Sequence, residues 1–233
     1  MTPLPSGAEK TRLVRAMFER IAPGYDRMNR VVSLGLDQRW RRASLDAIRV
    51  GPGDVVVDLA CGTGDLAELA AARGARVVGL DFARQMLRGA RLRGVPAAFV
   101  RSDVESLPLR DGCATAVTCG FALRNFTAPE RVLRETARAL VPGGRLALLE
   151  VGVPSSRLAR AGHRVWVERM VPLLGGWLSD REAYRYLPRS VVYLPAHGEL
   201  VALLRDCGFE RIRRSTFLMG AAQLYTAVKG GAQ

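Results

Sequence analysis

Short apolar runs alternate with helix-like patterns of apolar and polar residues between residues 54 and 151. The apolar runs predict five strands, at 54–59, 76–80, 97–101, 114–120 and 145–151, with helices at about 65–70, 82–92 and 129–140. Beyond residue 195, the pattern predicts one further helix near 199–207 and two strands, at 210–217 and 223–228. Alternating strands and helices indicate crossover connections. We therefore predict an α/β fold: a doubly wound, mostly parallel seven-stranded sheet with helices on both faces.

Two segments depart from this alternation. Residues 1–50 have a helical pattern, with a second helix at about 38–48 and a predicted inner face formed by Leu13, Ala16, Met17, Arg20 and Ile21. Residues 152–195 contain apolar residues at helical spacing and no strand pattern. We expect one domain over residues 1–233, with an N-terminal helical cap and a helical insertion between strands 5 and 6. The insertion should lie above the carboxyl ends of the strands, where doubly wound folds bind ligands.

The charge and cysteine content narrow the class of protein. The chain has 233 residues, 48% of them hydrophobic, which excludes wholesale disorder. Its net charge of +13 is compatible with nucleic acid, an anionic membrane or an arginine-rich solvated surface, and the dispersal of the arginines favours the last. The four cysteines form no CxxC pair, which argues against zinc and against a disulfide framework. We expect reduced, buried thiols and a cytoplasmic protein.

A glycine-rich turn follows the first predicted strand. Gly62 and Gly64 allow a tight turn at the start of a helix, whose free N–H groups can face a ligand. Ala67 stands where the dinucleotide pattern has its third glycine. Asp81 closes the second strand and is placed to accept ribose hydroxyls, whereas Asp103 and Val104 follow the third strand, where an adenine ring could lie. A plain turn at the glycines and helix or turn capping by the two aspartates remain alternatives.

Several segments carry a resemblance to a known family. Residues 58–64 resemble the first motif of class I S-adenosylmethionine-dependent methyltransferases. Residues 25–33 with Trp40, and segments 120–125, 138–150 and 183–190, are similar to the signatures of the ubiquinone/menaquinone biosynthesis C-methyltransferases. The resemblance extends from about residue 18 to residue 228. The chain departs from the family pattern at Asp37, where the family commonly has His, and at Ala122 and Gly152.

The resemblance implies a reaction and a set of site residues. The reaction is S-adenosylmethionine-dependent C-methylation of a polyprenylated quinol, foremost demethylmenaquinol to menaquinol, with S-adenosylhomocysteine as product and no metal. A ubiquinone-precursor benzoquinol, or another small molecule, is the alternative substrate. The implied catalytic residues are Arg124, which would polarise a quinol oxygen, together with Asn125 and Tyr25. The implied cofactor-binding residues are Asp58, Gly62, Thr63, Gly64, Asp81, Asp103, Val104 and Gly120.

Two other functions are less consistent with the sequence. Ala67 and the lack of a nicotinamide-side catalytic pair argue against an NAD-dependent oxidoreductase. An RNA-binding protein would account for the charge, but no RNP aromatic motif is present, so we expect no nucleic-acid partner. The apolar stripe from Trp166 to Trp177 fits either a core helix or a surface at the inner face of the membrane. Because the implied substrate carries a polyprenyl tail, we expect reversible peripheral contact with an anionic membrane, and the oligomeric state stays open.

Overall fold

The computed structural model describes residues 6–154, 156, 160–161, 186 and 190–231. Seven strands form one sheet in the order β3-β2-β1-β4-β5-β7-β6. All neighbouring pairs from β3 to β5 are parallel, and β7 is antiparallel to both β5 and β6. The strands are β1 (Val55–Leu59), β2 (Arg76–Asp81), β3 (Ala98–Arg101), β4 (Ala114–Gly120), β5 (Leu140–Val151), β6 (Phe209–Phe217) and β7 (Ala222–Lys229). The predicted mostly parallel, seven-stranded sheet is confirmed.

Seven α-helices accompany this sheet in the described part of the chain. Three precede it: α1 (Gly7–Ile21), α2 (Tyr25–Val32) and α3 (Leu36–Ala47). Four lie between strands: α4 (Asp65–Ala71), α5 (Arg84–Leu92), α6 (Pro129–Ala139) and α7 (His197–Asp206). None of these helices has the length and apolarity needed to cross a bilayer. Most of the segment predicted as a helical insertion, including the stripe from Trp166 to Trp177, lies outside the described residues.

The central strands are covered on both faces, as a parallel sheet requires. Val57 and Val117 pack in the cluster that includes residues of α6 and α7, whereas Val56 and Ala116 pack with residues of α3 and α4. Because successive side chains of a strand point to opposite faces, the neighbouring residues Val56 and Val57 pack against helices on opposite faces of the sheet. This arrangement explains why the strand sequences are continuous apolar runs rather than alternating ones.

Helix α1 differs from the prediction in the face that it buries. Its buried residues are Lys10, Val14, Met17 and Ile21, whereas Leu13 is 52% exposed. The buried positions follow the spacing of four and three residues that forms one face of a helix. Lys10 occupies a core-facing position because its ammonium Nζ donates to the backbone oxygens of Arg124 and Phe126, at 2.9 Å each. An interpretation that assigns every lysine to the surface therefore predicts the wrong buried face for this helix.

Helix α1 lies across the carboxyl ends of the strands from β4 to β2. Lys10 holds its first turns to the segment after β4, and Glu19 holds its last turn to the start of α5. The two carboxylate oxygens of Glu19 accept from the backbone N–H groups of Arg84 and Gln85, at 2.7 and 2.8 Å. Ala83, the N-cap residue of α5, has no side-chain oxygen, so Glu19 supplies the missing cap from another helix.

Helices α2 and α3 are held to the sheet by buried charges around Asp65, the first residue of α4. Its carboxylate accepts from Arg30 and Arg93, and the Nε atom of Arg41 lies 3.4 Å away. These guanidinium groups hold the pKa of Asp65 below its usual value despite the desolvation that burial imposes. Asp37 is buried in the same cluster and pairs with Arg30. The aspartate that replaces the family's histidine therefore serves this ion-pair network.

Candidate active site

An open cavity lies at the carboxyl ends of β1, β2 and β4, and the empty space in it, including its solvent-filled mouth, is about 700 Å³. Residues that follow the strands line one side of it, among them Ala60, Gly62, Asp81, Asp103, Val104 and Gly120. Thr11 and Phe18 of α1 and Tyr25 of α2 line the other side. The cap thus completes the cavity that the sheet begins.

The two predicted glycines of the first turn have different surroundings. Gly62 borders the cavity with φ of +57°, a conformation that favours glycine. Gly64 has φ of +87°, and a Cβ there would lie 3.3 Å from Ala90 Cβ and from Phe99 Cζ. Gly64 therefore lets the turn pack against α5 and does not border the cavity. Of the pair, only Gly62 presents its backbone to a ligand.

Asp81 connects the turns that follow β1 and β2. Its Oδ2 accepts from the N–H of Gly62 and its Oδ1 from the N–H of Ala83, both at 2.8 Å. The side chain is buried and borders the cavity. Desolvation raises the pKa of Asp81 to about 6, against the lowering effect of these two hydrogen bonds. The sequence left two roles open for Asp81, binding of ribose hydroxyls and capping. The structure is compatible with both roles at once, because the carboxylate caps a turn and also faces the cavity.

Asp58 and Thr63 lie behind the cavity wall and not on it. Thr118 Oγ1 donates to Asp58 Oδ1 at 2.8 Å, and Asp58 Oδ2 is buried without a hydrogen-bond partner among the described residues. Burial raises the pKa of Asp58 to about 7. The hydroxyl of Thr63 is bonded to Asp26 of α2. Thr63 therefore connects the glycine turn to the cap. Asp58 keeps one oxygen without a hydrogen-bond donor in the described part of the chain, behind the backbone that faces the cavity.

The remaining predicted cofactor residues border the cavity. Asp103 Oδ1 accepts from the N–H of Glu105 at 3.0 Å, which orders the turn that presents Val104. At Gly120, a Cβ would lie 2.9 Å from Leu66 Cδ1 and 3.0 Å from Arg41 Nη1. A side chain at residue 120 would therefore displace the ends of the Leu66 and Arg41 side chains.

Tyr25 and Asn125, two of the predicted catalytic residues, both border the cavity. The ring of Tyr25 packs edge-on against Phe18, with 5.9 Å between centroids, and burial raises the pKa of its hydroxyl. Asn125 ends a 3₁₀ turn, Leu123–Asn125, after β4. Its Oδ1 accepts from the hydroxyl of Tyr186 at 3.4 Å.

Arg124 is absent from the cavity wall, and its guanidinium is buried behind the turn. It pairs with Glu150, donates to the backbone oxygen of Phe121 at 2.6 Å, and donates through Nε to Ser190 Oγ at 3.1 Å. The resemblance implied contact with a quinol oxygen, whereas in the structure the guanidinium is engaged in a buried ion pair. Glu150 also accepts from the N–H of Arg124, so the pair holds both backbone and side chain of this turn.

Sequence reasoning missed several residues of the site. Lys10 and Glu19 fasten α1 over the cavity, and Phe18, Phe82 and Met86 contribute apolar wall. A signal existed for Lys10, since it is one of only two lysines in an arginine-rich chain and precedes Val14 by one helical turn. Glu19 and the aromatic residues carry no comparable signal. In the described ranges, no group of His, Cys, Asp and Glu side chains is arranged to hold a metal ion.

The fold is that of class I methyltransferases. A methyltransferase of Aquifex aeolicus aligns with a TM-score of 0.61 at 15% identity, covering 87% of this chain and 97% of that one. Haemonchus contortus phosphoethanolamine N-methyltransferase 2, solved with S-adenosylmethionine, aligns with a TM-score of 0.60 at 14% identity, covering 82% of this chain and 52% of that one. At such identities the likeness shows the fold alone.

Residues 6–229 match the ubiE/COQ5 methyltransferase family, and the chain belongs to that family. The demethylmenaquinone methyltransferase of Thermus thermophilus is 43% identical, over 90% of this chain and 98% of that protein. A protein of the same name from Roseiflexus castenholzii is 39% identical, over 98% of each. The ubiquinone/menaquinone biosynthesis C-methyltransferase UbiE of Syntrophotalea carbinolica is 38% identical, over 92% and 93%. The family expected from the sequence is confirmed.

The buried pair of Arg124 and Glu150 yields a prediction about stability. Arg124→Ala should lower the free energy of unfolding by about 3–5 kcal/mol, because Glu150 is left as a buried charge without its partner. Adding Glu150→Gln should restore part of the loss. Arg134→Ala, which breaks the exposed pair with Glu130, is the matched control and should change stability little. Urea denaturation measures all four proteins; equal effects of the two arginine substitutions would contradict the buried-pair interpretation.

Proposed function

We propose that this protein transfers the methyl group of S-adenosylmethionine to a ring carbon of demethylmenaquinol, giving menaquinol. The family and the relatives named demethylmenaquinone methyltransferase, similar along nearly their whole length, support this activity. The observation in the site that carries it is that one cavity brings Asp81 and Gly62 together with Tyr25 and Asn125. Relatives named for both quinone pathways support a benzoquinol precursor of ubiquinone as second candidate.

The residues present fit S-adenosylmethionine. The Asp81 carboxylate suits ribose hydroxyls, and the apolar side chains of Phe82, Met86 and Val104 suit an adenine ring beside Asp103. The buried carboxyl of Asp58 lies behind the cavity wall and would act on the positive amino group of a ligand at the glycine turn through its charge rather than by contact. Gly62 and Gly120 leave backbone exposed on either side of that turn. The product in this reading is S-adenosylhomocysteine, and no residue role requires a metal.

The methyl donor supplies an activated methyl group on a sulfonium sulfur, so the chain's own residues contribute orientation and exclusion of water. The new bond joins the quinol ring carbon to the methyl carbon as the bond from methyl to sulfur breaks, and the ring carbon then loses its proton. Phe18, Phe121 and Phe126 provide an apolar wall that excludes water from this step. Because burial raises the pKa of Tyr25, its hydroxyl stays protonated and donates to a quinol oxygen.

Asn125 is placed to stabilise the quinol as it becomes electron-rich. Its Oδ1 accepts from Tyr186, which leaves the amide NH₂ group to donate to a quinol oxygen. A donor there favours the deprotonated oxygen and so raises the nucleophilicity of the ring carbon. Arg124 acts in this proposal as a positioning residue, because its bonds to Glu150 and Phe121 hold the turn that presents Asn125.

The prenyl tail of such a substrate resides in a bilayer, so the proposal includes reversible contact of a cytoplasmic protein with the inner face of the membrane. The net charge of +13 supports attraction to an anionic surface, and the tail itself explains why contact is needed. The stripe from Trp166 to Trp177, which the sequence offered for this contact, lies outside the described residues. No nucleic-acid partner is part of the proposal.

The substrate is tested by mass spectrometry of product. The purified protein, mixed with S-adenosylmethionine and a short-tailed demethylmenaquinol, should give a ring-methylated menaquinol and S-adenosylhomocysteine. The matched benzoquinol should react more slowly under the same conditions. Product from the benzoquinol alone would transfer the assignment to the ubiquinone pathway. If neither quinol is methylated, the proposed activity is refuted.

Asp81 yields a prediction for the cofactor. Asp81→Ala should weaken S-adenosylhomocysteine binding by about 1–3 kcal/mol, the usual loss when hydrogen-bonding groups are left unpaired. Ribose hydroxyls donate to the ionised carboxylate, whose pKa in the free protein is about 6, so wild-type affinity should rise as pH increases from 5 to 7. Asp81→Asn should remove that rise, and Asp46→Ala, an exposed aspartate of α3, should retain it. Calorimetry at several pH values measures the affinity of each protein for S-adenosylhomocysteine. If the affinity does not depend on Asp81, the residue serves only to cap the turn.

Asn125 yields a prediction for turnover. Asn125→Ala should lower kcat about a hundredfold, the scale of a misplaced reactive group, while cofactor affinity changes little. Asn125→Asp should be at least as impaired, because a carboxylate repels the developing negative charge on the quinol oxygen. Steady-state kinetics with both substrates separates kcat from the two KM values. Retained turnover in the aspartate variant would show that Asn125 accepts, rather than donates, a hydrogen bond.

A further inference from the structure

Large apolar side chains are exposed mainly at one edge of this molecule. Within the described ranges, eight such side chains are exposed, and two of them, Leu92 and Val100, belong to α5 and β3. The other six belong to the cap or to chain segments that follow β5 and β6, and we call them the carboxyl-edge surface: Leu13, Leu34, Val153, Val192, Leu218 and Met219. A cluster of this kind on a charged protein marks a place of contact with another apolar phase.

The connection between β6 and β7 forms one end of the carboxyl-edge surface. Leu218 and Met219 are 54% and 70% exposed, and both have positive φ, of 46° and 55°. Side chains of this size rarely adopt that conformation, so the turn holds two bulky apolar groups outward against a local preference. The turn lies at the carboxyl end of β5, because Ala222 pairs with Val151 and the N–H of Gly152 donates to the oxygen of Ala221. Val153 is therefore its neighbour.

The opposite end of the surface is the outer side of the cap. Leu13 is exposed on α1, the helix whose Thr11 and Phe18 line the cavity. Val192 belongs to a 3₁₀ turn, Val191–Tyr193, and the ring of Tyr193 lies against Lys10 Nζ, 3.8 Å from its centroid. Leu13 thus lies on a helix that lines the cavity, and Val192 lies on a turn that contacts the same helix.

Cations accompany these apolar groups. Arg12 and Arg15 are exposed on either side of Leu13, and Arg213 and Arg214 are exposed on β6 shortly before Leu218. Glu9 is an exposed acid on the same helix as Leu13. Apolar tips among arginines suit the boundary between headgroups and acyl chains of an anionic bilayer. A second copy of this chain suits the surface poorly, because each copy carries a net charge of +13 and the two would repel.

We propose that the carboxyl-edge surface docks on an anionic lipid bilayer, with Leu218 and Met219 entering the acyl boundary. Docking in this orientation turns the cavity toward the lipid, so that a prenylated quinol enters without crossing water. The proposal rests on the proposed function only for the nature of that quinol. The docking itself depends on the arrangement of apolar and basic side chains.

Flotation with vesicles tests the docking. Wild-type protein should float with vesicles containing phosphatidylglycerol, should float poorly with pure phosphatidylcholine, and should be released by high salt because salt screens the charges. Leu218→Ser/Met219→Ser should weaken binding about tenfold or more, since two large apolar groups no longer leave water. Leu92→Ser is the matched control: its side chain is 78% exposed, ends α5 and lies outside the surface. Melting temperatures of the variants exclude unfolding.

Kinetics with two substrates separates this proposal from the proposed function. The double variant should methylate a short-tailed, water-soluble quinol at the wild-type rate and a long-tailed quinol in vesicles several-fold more slowly. Wild-type binding by the double variant, or equal losses in it and in Leu92→Ser, would overturn the docking surface while leaving the activity on the soluble quinol. Binding in a pull-down only to a protein partner, with no flotation, would also overturn it. Absence of methylation of the soluble quinol by wild-type protein contradicts the proposed function and leaves the flotation result intact.

Discussion

The structure depends on one buried carboxylate at the point where two parallel strands end. Asp81 accepts from the backbone of the glycine turn after β1 and from the backbone of the turn after β2, so it keeps both loops at a constant distance. Its burial penalises the charged form, and the two N–H donors oppose that penalty; a pKa of about 6 is the balance. A carboxylate in this state is a structural tie that also presents to the cavity an acceptor whose charge depends on pH.

The cap is attached by the same kind of interaction at several places. Lys10, Glu19 and Asp26 each satisfy groups of the methyltransferase core that the core leaves without a partner: two carbonyl oxygens, two N–H groups of a helix start and the hydroxyl of Thr63. Met17 and Ile21 of the cap also pack against Ala83 and Met86 of the core. Because these polar and apolar contacts surround the cavity, the cap's position and the cavity's shape are coupled.

The excess of arginine has more than one role. Arg30, Arg41 and Arg93 neutralise Asp65 in the interior, and Arg124 neutralises Glu150 behind the turn that ends with Asn125. Others, such as Arg12 and Arg213, are exposed. A planar guanidinium can bind several acceptors at once, which lets a single residue hold a turn, a strand end and a cap helix together. Composition alone could not divide the buried arginines from the exposed ones, because both kinds occur throughout the chain.

The sequence by itself determined the sheet, the class of fold and the family, because apolar periodicity and the glycine turn are local properties of the chain. It also identified Gly62, Asp81, Asp103, Val104, Gly120, Tyr25 and Asn125, all of which border the cavity, since ends of parallel strands meet at one edge. Only the tertiary structure decided that Thr63, Gly64 and Arg124 lie elsewhere. The chain neighbours of a ligand-facing residue point in other directions, and which contact each one makes depends on residues far away in sequence: Asp26 for Thr63, Ala90 for Gly64 and Glu150 for Arg124. The same reason hid Lys10, whose buried position is stabilised by carbonyl groups more than a hundred residues away.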